Sequence, residues 1–135
     1  LKMLKDENLL EPLREFGARK PIFGTCAGAI LLARSVTNPP QESLGLMDME
    51  VERNAYGRQV HSHIARLEDF EGAPLEAVFI RAPIIRQTGP QVRVLARYGG
   101  SPVLVEQGRH LAATFHPELT EDTRIHKLFL EKAGR

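Results

Sequence analysis

Pro21-Ile22-Phe23-Gly24-Thr25-Cys26-Ala27-Gly28-Ala29-Ile30-Leu31-Leu32-Ala33 decides how this 135-residue chain is read. Pro21-Ile22-Phe23 is short and apolar, as a buried strand is, and Ala29-Ile30-Leu31-Leu32-Ala33 reads as a buried helix. Between them, Gly24-Thr25-Cys26-Ala27-Gly28 has the form G-x-C-x-G. That is the strand–turn–helix setting of a nucleophile elbow, with cysteine in place of serine. So sharp a turn asks for glycine on both sides, where a Cβ would clash. The side chain of Cys26 then rises above the sheet edge. The helix N-terminus turns its dipole and free N–H groups toward the sulfur, which favours thiolate. The N–H of Ala27 is placed to donate to an oxyanion. The competing reading is a buried structural cysteine, the common fate of a free thiol. The motif alone does not separate a hydrolase from an amidotransferase or a redox sensor.

Outward from this turn, residues 1–16 read as helix. Pro12 marks the first turn of a second short helix, Leu9, Leu13 and Phe16 share a face, and Gly17 is the stop. Residues 35–45, with Asn38-Pro39-Pro40 and Gly45, read as loop. Strands are expected at 47–52, 77–81, 92–97, 102–106 and 110–115, and Gly99-Gly100 and Gln107-Gly108 make 92–115 a β-meander. Residues 122–133 form an amphipathic helix with Ile125, Leu128 and Phe129 on one face, Asp122 or Thr120 as its cap and Gly134 past its end. Helices at both ends of a strand-rich middle make an α/β layered fold.

Composition narrows the function classes. The chain is 42% hydrophobic and 26% charged, which excludes a disordered or collagen-like chain. No apolar run approaches the roughly 18 residues of a membrane helix, so no membrane partner is expected. Eighteen Lys and Arg against 17 Asp and Glu leave a net charge of +1, without the basic surplus of a nucleic-acid binder. Cys26 is the only cysteine, so no intrachain disulfide forms; the expected compartment is reducing, the cytoplasm.

A second constellation lies far along the chain at Phe115-His116-Pro117-Glu118-Leu119. In extended chain, residues i and i+2 point the same way, so His116 and Glu118 should lie side by side, with Pro117 disfavouring helix at His116. A carboxylate beside an imidazole orients it and stabilises imidazolium, the third-member role in a nucleophile–base–orienter triad. His-Pro-Glu alone also reads as a strand-end histidine beside a surface carboxylate. His61-Ser62-His63 is an H-x-H pair that no acidic or cysteine cluster completes, so no metal site is expected. His110 and His126 suggest no special role, with His126 on a solvated face or near its boundary.

Together, Gly24–Gly28 and Phe115–Leu119 resemble the class I (triad) glutamine amidotransferases. Val51-Glu52-Arg53-Asn54-Ala55-Tyr56-Gly57-Arg58-Gln59-Val60, Val78-Phe79-Ile80-Arg81-Ala82-Pro83 and Thr120-Glu121-Asp122 are similar to one branch, the glutaminase subunits of pyridoxal 5′-phosphate synthase. The resemblance runs from about Pro21 onward. It implies a flavodoxin-like three-layer sandwich, with a mixed, mostly parallel sheet and helices on both faces. It implies hydrolysis of L-glutamine to L-glutamate and ammonia, with ammonia channelled to a barrel-shaped synthase subunit in a hetero-oligomer. No cofactor is implied. Residue by residue, the nucleophile falls on Cys26, the general acid/base on His116 and the orienting acid on Glu118. The glutamine contacts fall on Arg53, Ile80 and Arg81. Without the resemblance, Arg53 and Arg58 read as surface partners of Glu50 and Glu52.

The chain opens at Leu1 in charged, helix-like sequence, so an N-terminal part is expected to precede it. The resemblance implies that this part carries the first strand and a Gly-Gly-Glu-Ser loop with a second oxyanion donor. On that expectation residues 1–135 are one glutaminase domain, N-terminally incomplete. Two alternatives stand beside an active glutaminase: a catalytically impaired module that still docks on the synthase, and a cysteine hydrolase of another branch.

Overall fold

The computed structural model describes residues 10–53, 63–70 and 73–134. Helix α1 (Leu10–Arg19) leads to strand β1 (Phe23–Thr25), helix α2 (Ala27–Leu32) and strands β2 (Ala33–Thr37) and β3 (Met47–Glu52). Strands β4 (His63–Phe70), β5 (Ala73–Phe79), β6 (Ile84–Thr88), β7 (Arg93–Tyr98), β8 (Ser101–Gln107) and β9 (His110–Ala113) follow. A 3₁₀ turn (Pro117–Leu119) and helix α3 (Arg124–Ala133) complete the described chain.

Strand β9 organises the rest. Its four residues are all buried, because each face of the sheet carries its own core. Leu111 and Ala113 join a core with Phe79, Phe115 and Ile125. Ala112 and Val105 join another with Ile30, Leu32, Met49 and Val51. A strand covered on both faces reads as a continuous apolar run, which is how Val103-Leu104-Val105 and Leu111-Ala112-Ala113 read. This is the α/β layering expected.

The sheet order is β1-β9-β8-β7, with separate β2-β3-β6 and β4-β5 sheets. The sheets are mixed, as expected, but parallel pairs do not predominate among the described residues. β1–β9 and β2–β3 are parallel, whereas β3–β6, β4–β5, β7–β8 and β8–β9 are antiparallel. The meander explains much of this: tight turns join antiparallel neighbours, while a parallel pair needs a crossover. Gly99, Gly100 and Gly108 all adopt positive φ at those turns, the conformation glycine reaches without strain.

Several boundaries differ from the sequence reading. The first strand is Phe23–Thr25 rather than 21–23. Helix α1 passes through Gly17 to Arg19, so Gly17 is not a stop. A Cβ there would come within 2.2 Å of Leu46 Cδ1, so glycine serves close packing instead. The buried face of α1 carries Leu10 and Gly17, and Phe16 is exposed. The expected loop at 35–45 begins as strand β2, and β4 and β6 also arise where no strand was expected. The rest of the helix expected over 1–16 lies outside the described residues, with Leu9.

Polar groups also lock the fold. His110 is buried, and its Nδ1 accepts the Ile22 N–H at 3.1 Å. Lys132, 3% exposed, donates to the Gly108 carbonyl at 2.8 Å and pairs with Glu106 at 2.5 Å. This ties the end of α3 to the β8–β9 turn.

Candidate active site

Strands β1 and β9 run parallel and adjacent, with Thr25 opposite Ala113. Their carboxyl ends therefore deliver Cys26 and the Thr114–His116 segment to the same edge. Cys26 has φ 51° and ψ −105°, a left-handed backbone rare outside glycine and a mark of functional turns. Its N–H donates to the Ala113 carbonyl at 2.8 Å, holding the elbow on β9. Gly24 is required: a Cβ there would lie 2.5 Å from the Gly28 carbonyl oxygen. Gly28 is not required in that sense, since a Cβ there meets nothing within 4 Å. The clash argument made from sequence therefore holds for one glycine of the pair.

The thiol itself departs from expectation. Burial pushes the Cys26 pKa up, the Ala27 N–H pulls it down, and the Glu118 carboxylate raises it again, for a net rise. Burial is the largest of these contributions and outweighs the opposing Ala27 N–H at the start of α2. The resting group is a thiol whose Sγ donates to the Ile80 carbonyl at 3.6 Å.

His116 and Glu118 do lie side by side, with Nδ1 and Oε2 2.7 Å apart. The backbone route is not the extended one expected. Pro117 opens a 3₁₀ turn over Pro117–Leu119, a position its fixed φ suits, and this turn brings Glu118 back to the imidazole. Partial burial raises the Glu118 pKa, but the His116 hydrogen bond, the local backbone and the His116 and His126 charges outweigh it and lower it overall. The carboxylate is thus held ionised as an acceptor. With Nδ1 so engaged, Nε2 is the nitrogen left for chemistry.

Strand β5 supplies what the sequence reading missed. The Val78 carbonyl accepts the His116 N–H at 2.8 Å, and two residues on the Ile80 carbonyl accepts the Cys26 thiol. One strand end thus touches both groups. Arg81 follows with φ 47° and an exposed side chain, a second strained non-glycine residue at the same place. Arg53 ends β3 in a turn, its N–H donating to the Thr37 carbonyl at 3.0 Å. No described contact joins Arg53 to Cys26, His116 or Glu118. Of the predicted site residues, Cys26, Ala27, His116, Glu118 and Ile80 are brought together, with Arg81 next in chain. Of the two positions expected for His126, the structure gives the boundary one: half-buried, it meets the Phe23 ring edge-on at 6.0 Å.

Asn54–Val60 and His61-Ser62 lie outside the described residues, so the Arg-rich segment beyond Arg53 and the H-x-H pair are not placed. Among the described residues, no group of three or more His, Cys, Asp or Glu side chains could hold a metal ion. No described helix is long and apolar enough to cross a membrane.

The profile of the SNO glutamine amidotransferase family matches residues 1–135. The chain belongs to that family. Among relatives of this SNO glutamine amidotransferase, pyridoxal 5′-phosphate synthase subunit PdxT of Solibacter usitatus (strain Ellin6076) is 64% identical, over 98% of this chain and 72% of its own length. PdxT of Koribacter versatilis (strain Ellin345) is 57% identical, over 97% of this chain and 68% of its own length. A crystal structure of a glutamine amidotransferase superposes with a TM-score of 0.88 at 48% identity, covering 99% of this chain and 72% of that one. The family read from the two motifs is borne out, and so is the α/β fold.

Proposed function

We propose that this chain hydrolyses L-glutamine to L-glutamate and ammonia through a Cys26–His116–Glu118 triad and passes the ammonia to a pyridoxal 5′-phosphate synthase subunit. The observation that carries this reading is the 2.7 Å Nδ1–Oε2 contact of His116 and Glu118 at the same sheet edge as the Cys26 elbow.

In this account Cys26 Sγ attacks the side-chain amide carbon, and its proton passes to His116 Nε2. The amide oxygen becomes an oxyanion facing the Ala27 N–H. As the C–N bond breaks, His116 returns the proton to the leaving nitrogen, which departs as ammonia. A thioester remains. His116 then takes a proton from water as it adds to the carbonyl carbon, the C–S bond breaks, and the thiol is restored beside glutamate. Glu118 keeps its negative charge throughout and steadies the imidazolium. Arg53 or Arg81 meets the substrate carboxylate by a charge-assisted hydrogen bond, with Ile80 as a further glutamine contact. The relatives named as subunits of pyridoxal 5′-phosphate synthase support a second, synthase subunit as partner. A barrel shape for that partner and a hetero-oligomeric assembly are part of this proposal, as is the cytoplasmic setting drawn from the lone cysteine. Residues 1–135 belong to one glutaminase domain, and the reaction asks for no cofactor.

A second reading, a docking module with little turnover alone, draws on the raised thiol bound to Ile80. The test is ammonia release from glutamine by the natural protein, with and without the synthase subunit and with Cys26→Ala as control. Cys26-dependent release supports the triad. Absence of release with the synthase present refutes it.

A further inference from the structure

The β4–β5 hairpin forms a two-stranded sheet of its own, with no ladder to the other described strands. It is nevertheless the element whose end meets both Cys26 and His116. Its position must come from side chains and isolated hydrogen bonds. At the site end these are the Val78 carbonyl on His116 N–H and the Ile80 carbonyl on Cys26 Sγ. Leu67, Phe70, Leu75, Ala77 and Phe79 pack into the core beneath.

Near the far end, Arg124 adds a cluster of polar contacts among the described residues. The Arg124 guanidinium donates to the Phe70 carbonyl at 2.6 Å, the Ala73 carbonyl at 3.1 Å and the Pro74 carbonyl at 2.6 Å. It also lies 5.3 Å from the Phe70 ring centroid. Asp122 braces it from the other side, with Nη2 to Oδ2 at 2.8 Å and Nε to both carboxylate oxygens at 3.1 Å. Asp122 lies four residues beyond Glu118, on the segment that carries the His116–Glu118 pair. Only a planar fork of donors serves carbonyls on one side and a carboxylate on the other.

We propose that Arg124 is a positioning residue for the reaction, stapling Phe70, Ala73 and Pro74 of the β4–β5 pair to the His116–Asp122 segment so that Ile80, with Arg81 next to it, is held against Cys26. It touches no reacting atom. The proposal rests on the glutaminase reading for its kinetic effect, but its effect on the sulfur stands independently of that reading.

The experiment uses the natural protein with its synthase subunit and compares wild type, Arg124→Ala, Arg124→Lys and Asp122→Asn. Loosening the hairpin misplaces the substrate-facing residues more than the triad, so Arg124→Ala should raise KM for glutamine about tenfold and change kcat less. Added guanidinium should restore KM in Arg124→Ala. Arg124→Lys should not restore it, since an ammonium cannot make the fork. Iodoacetamide labelling of Cys26, read by mass spectrometry on the peptide that contains it, should quicken about 2–5-fold at neutral pH as the bond to Ile80 weakens, the scale of one modest hydrogen bond. Wild-type KM and labelling in folded Arg124→Ala would overturn the proposal, as would a loss matched by the fall in folded fraction without rescue. If Arg124→Ala does not fold, Asp122→Asn decides: a severalfold rise in KM supports the staple, and wild-type values overturn it. If the wild type releases no ammonia, the glutaminase reading fails, and the labelling rates alone decide the role of Arg124.

Discussion

The thiol of Cys26 donates to the carbonyl oxygen of Ile80 at 3.6 Å, joining two residues 54 positions apart. The nucleophile therefore rests on the strand end that also carries the Val78 carbonyl to His116. Because burial raises the thiol pKa from the usual 9.0, the protein without substrate or partner should alkylate slowly at neutral pH. The rate with iodoacetamide should climb only as pH rises beyond that value. Labelling faster than a free thiol at neutral pH would contradict this resting state.

The two glycines of the cysteine turn should respond oppositely to alanine. Gly24→Ala places a Cβ 2.5 Å from the backbone oxygen of Gly28, which cannot yield without moving α2. A loss of about 1–3 kcal/mol is expected. Gly28→Ala meets open space inside a helix. It should be neutral, or stabilising by up to about 1 kcal/mol. Urea unfolding of both variants checks the contrast, and equal losses would refute it.

Glu118→Gln keeps the shape but removes the charge that steadies the His116 imidazolium. The expected fall in kcat is about 10²-fold, at the lower end for general acid–base effects, because Glu118 is half exposed. KM should change little. Since its surroundings lower the Glu118 pKa below 4.5, protonation of this group should cost the wild type no activity until pH falls below that value. An unchanged kcat in Glu118→Gln would remove Glu118 from the account.

His110 predicts an acid-sensitive fold. Burial, opposed by the Gly17 carbonyl and joined by the Arg109 and Lys132 charges, lowers its pKa from 6.5. Its Nδ1 already accepts the Ile22 N–H, so a proton there would set two donors against each other. The folded state therefore binds protons more weakly than the unfolded state. The stabilisation is fully present above pH 6.5 and is lost as pH falls through that value toward the lower folded pKa. Unfolding free energy measured across this window should decline for wild type and flatten in His110→Gln. Equal slopes would contradict the assignment.

Much of this was legible in the residues themselves. The β7–β9 meander announced itself through Gly99-Gly100 and Gly108, because a tight hairpin needs positive φ there. The Cys26 elbow and the His116–Glu118 pair were legible because each is local: a sharp turn with glycine, and a proline between two polar groups. Strand β2 was not, since Ala33-Arg34-Ser35-Val36-Thr37 lacks a strong strand pattern and depends on pairing with β3. Nor was the role of Val78 and Ile80 as acceptors, because backbone carbonyls carry no sequence signal. Nothing in the sequence singles out Arg124; its role depends on tertiary packing that brings three carbonyls to it. The thiol shift was misread for a similar reason: a helix start is visible in sequence, but the burial that outweighs it is not.

The central claim is that Cys26 attacks glutamine with His116 as its base. The most direct measurement is mass spectrometry of the natural protein, with its synthase subunit, rapidly quenched during glutamine turnover. The account predicts a glutamyl thioester on the peptide containing Cys26, absent from Cys26→Ala and depleted in His116→Ala. Steady ammonia release with no adduct in the wild type, or release that persists in Cys26→Ala, would contradict it.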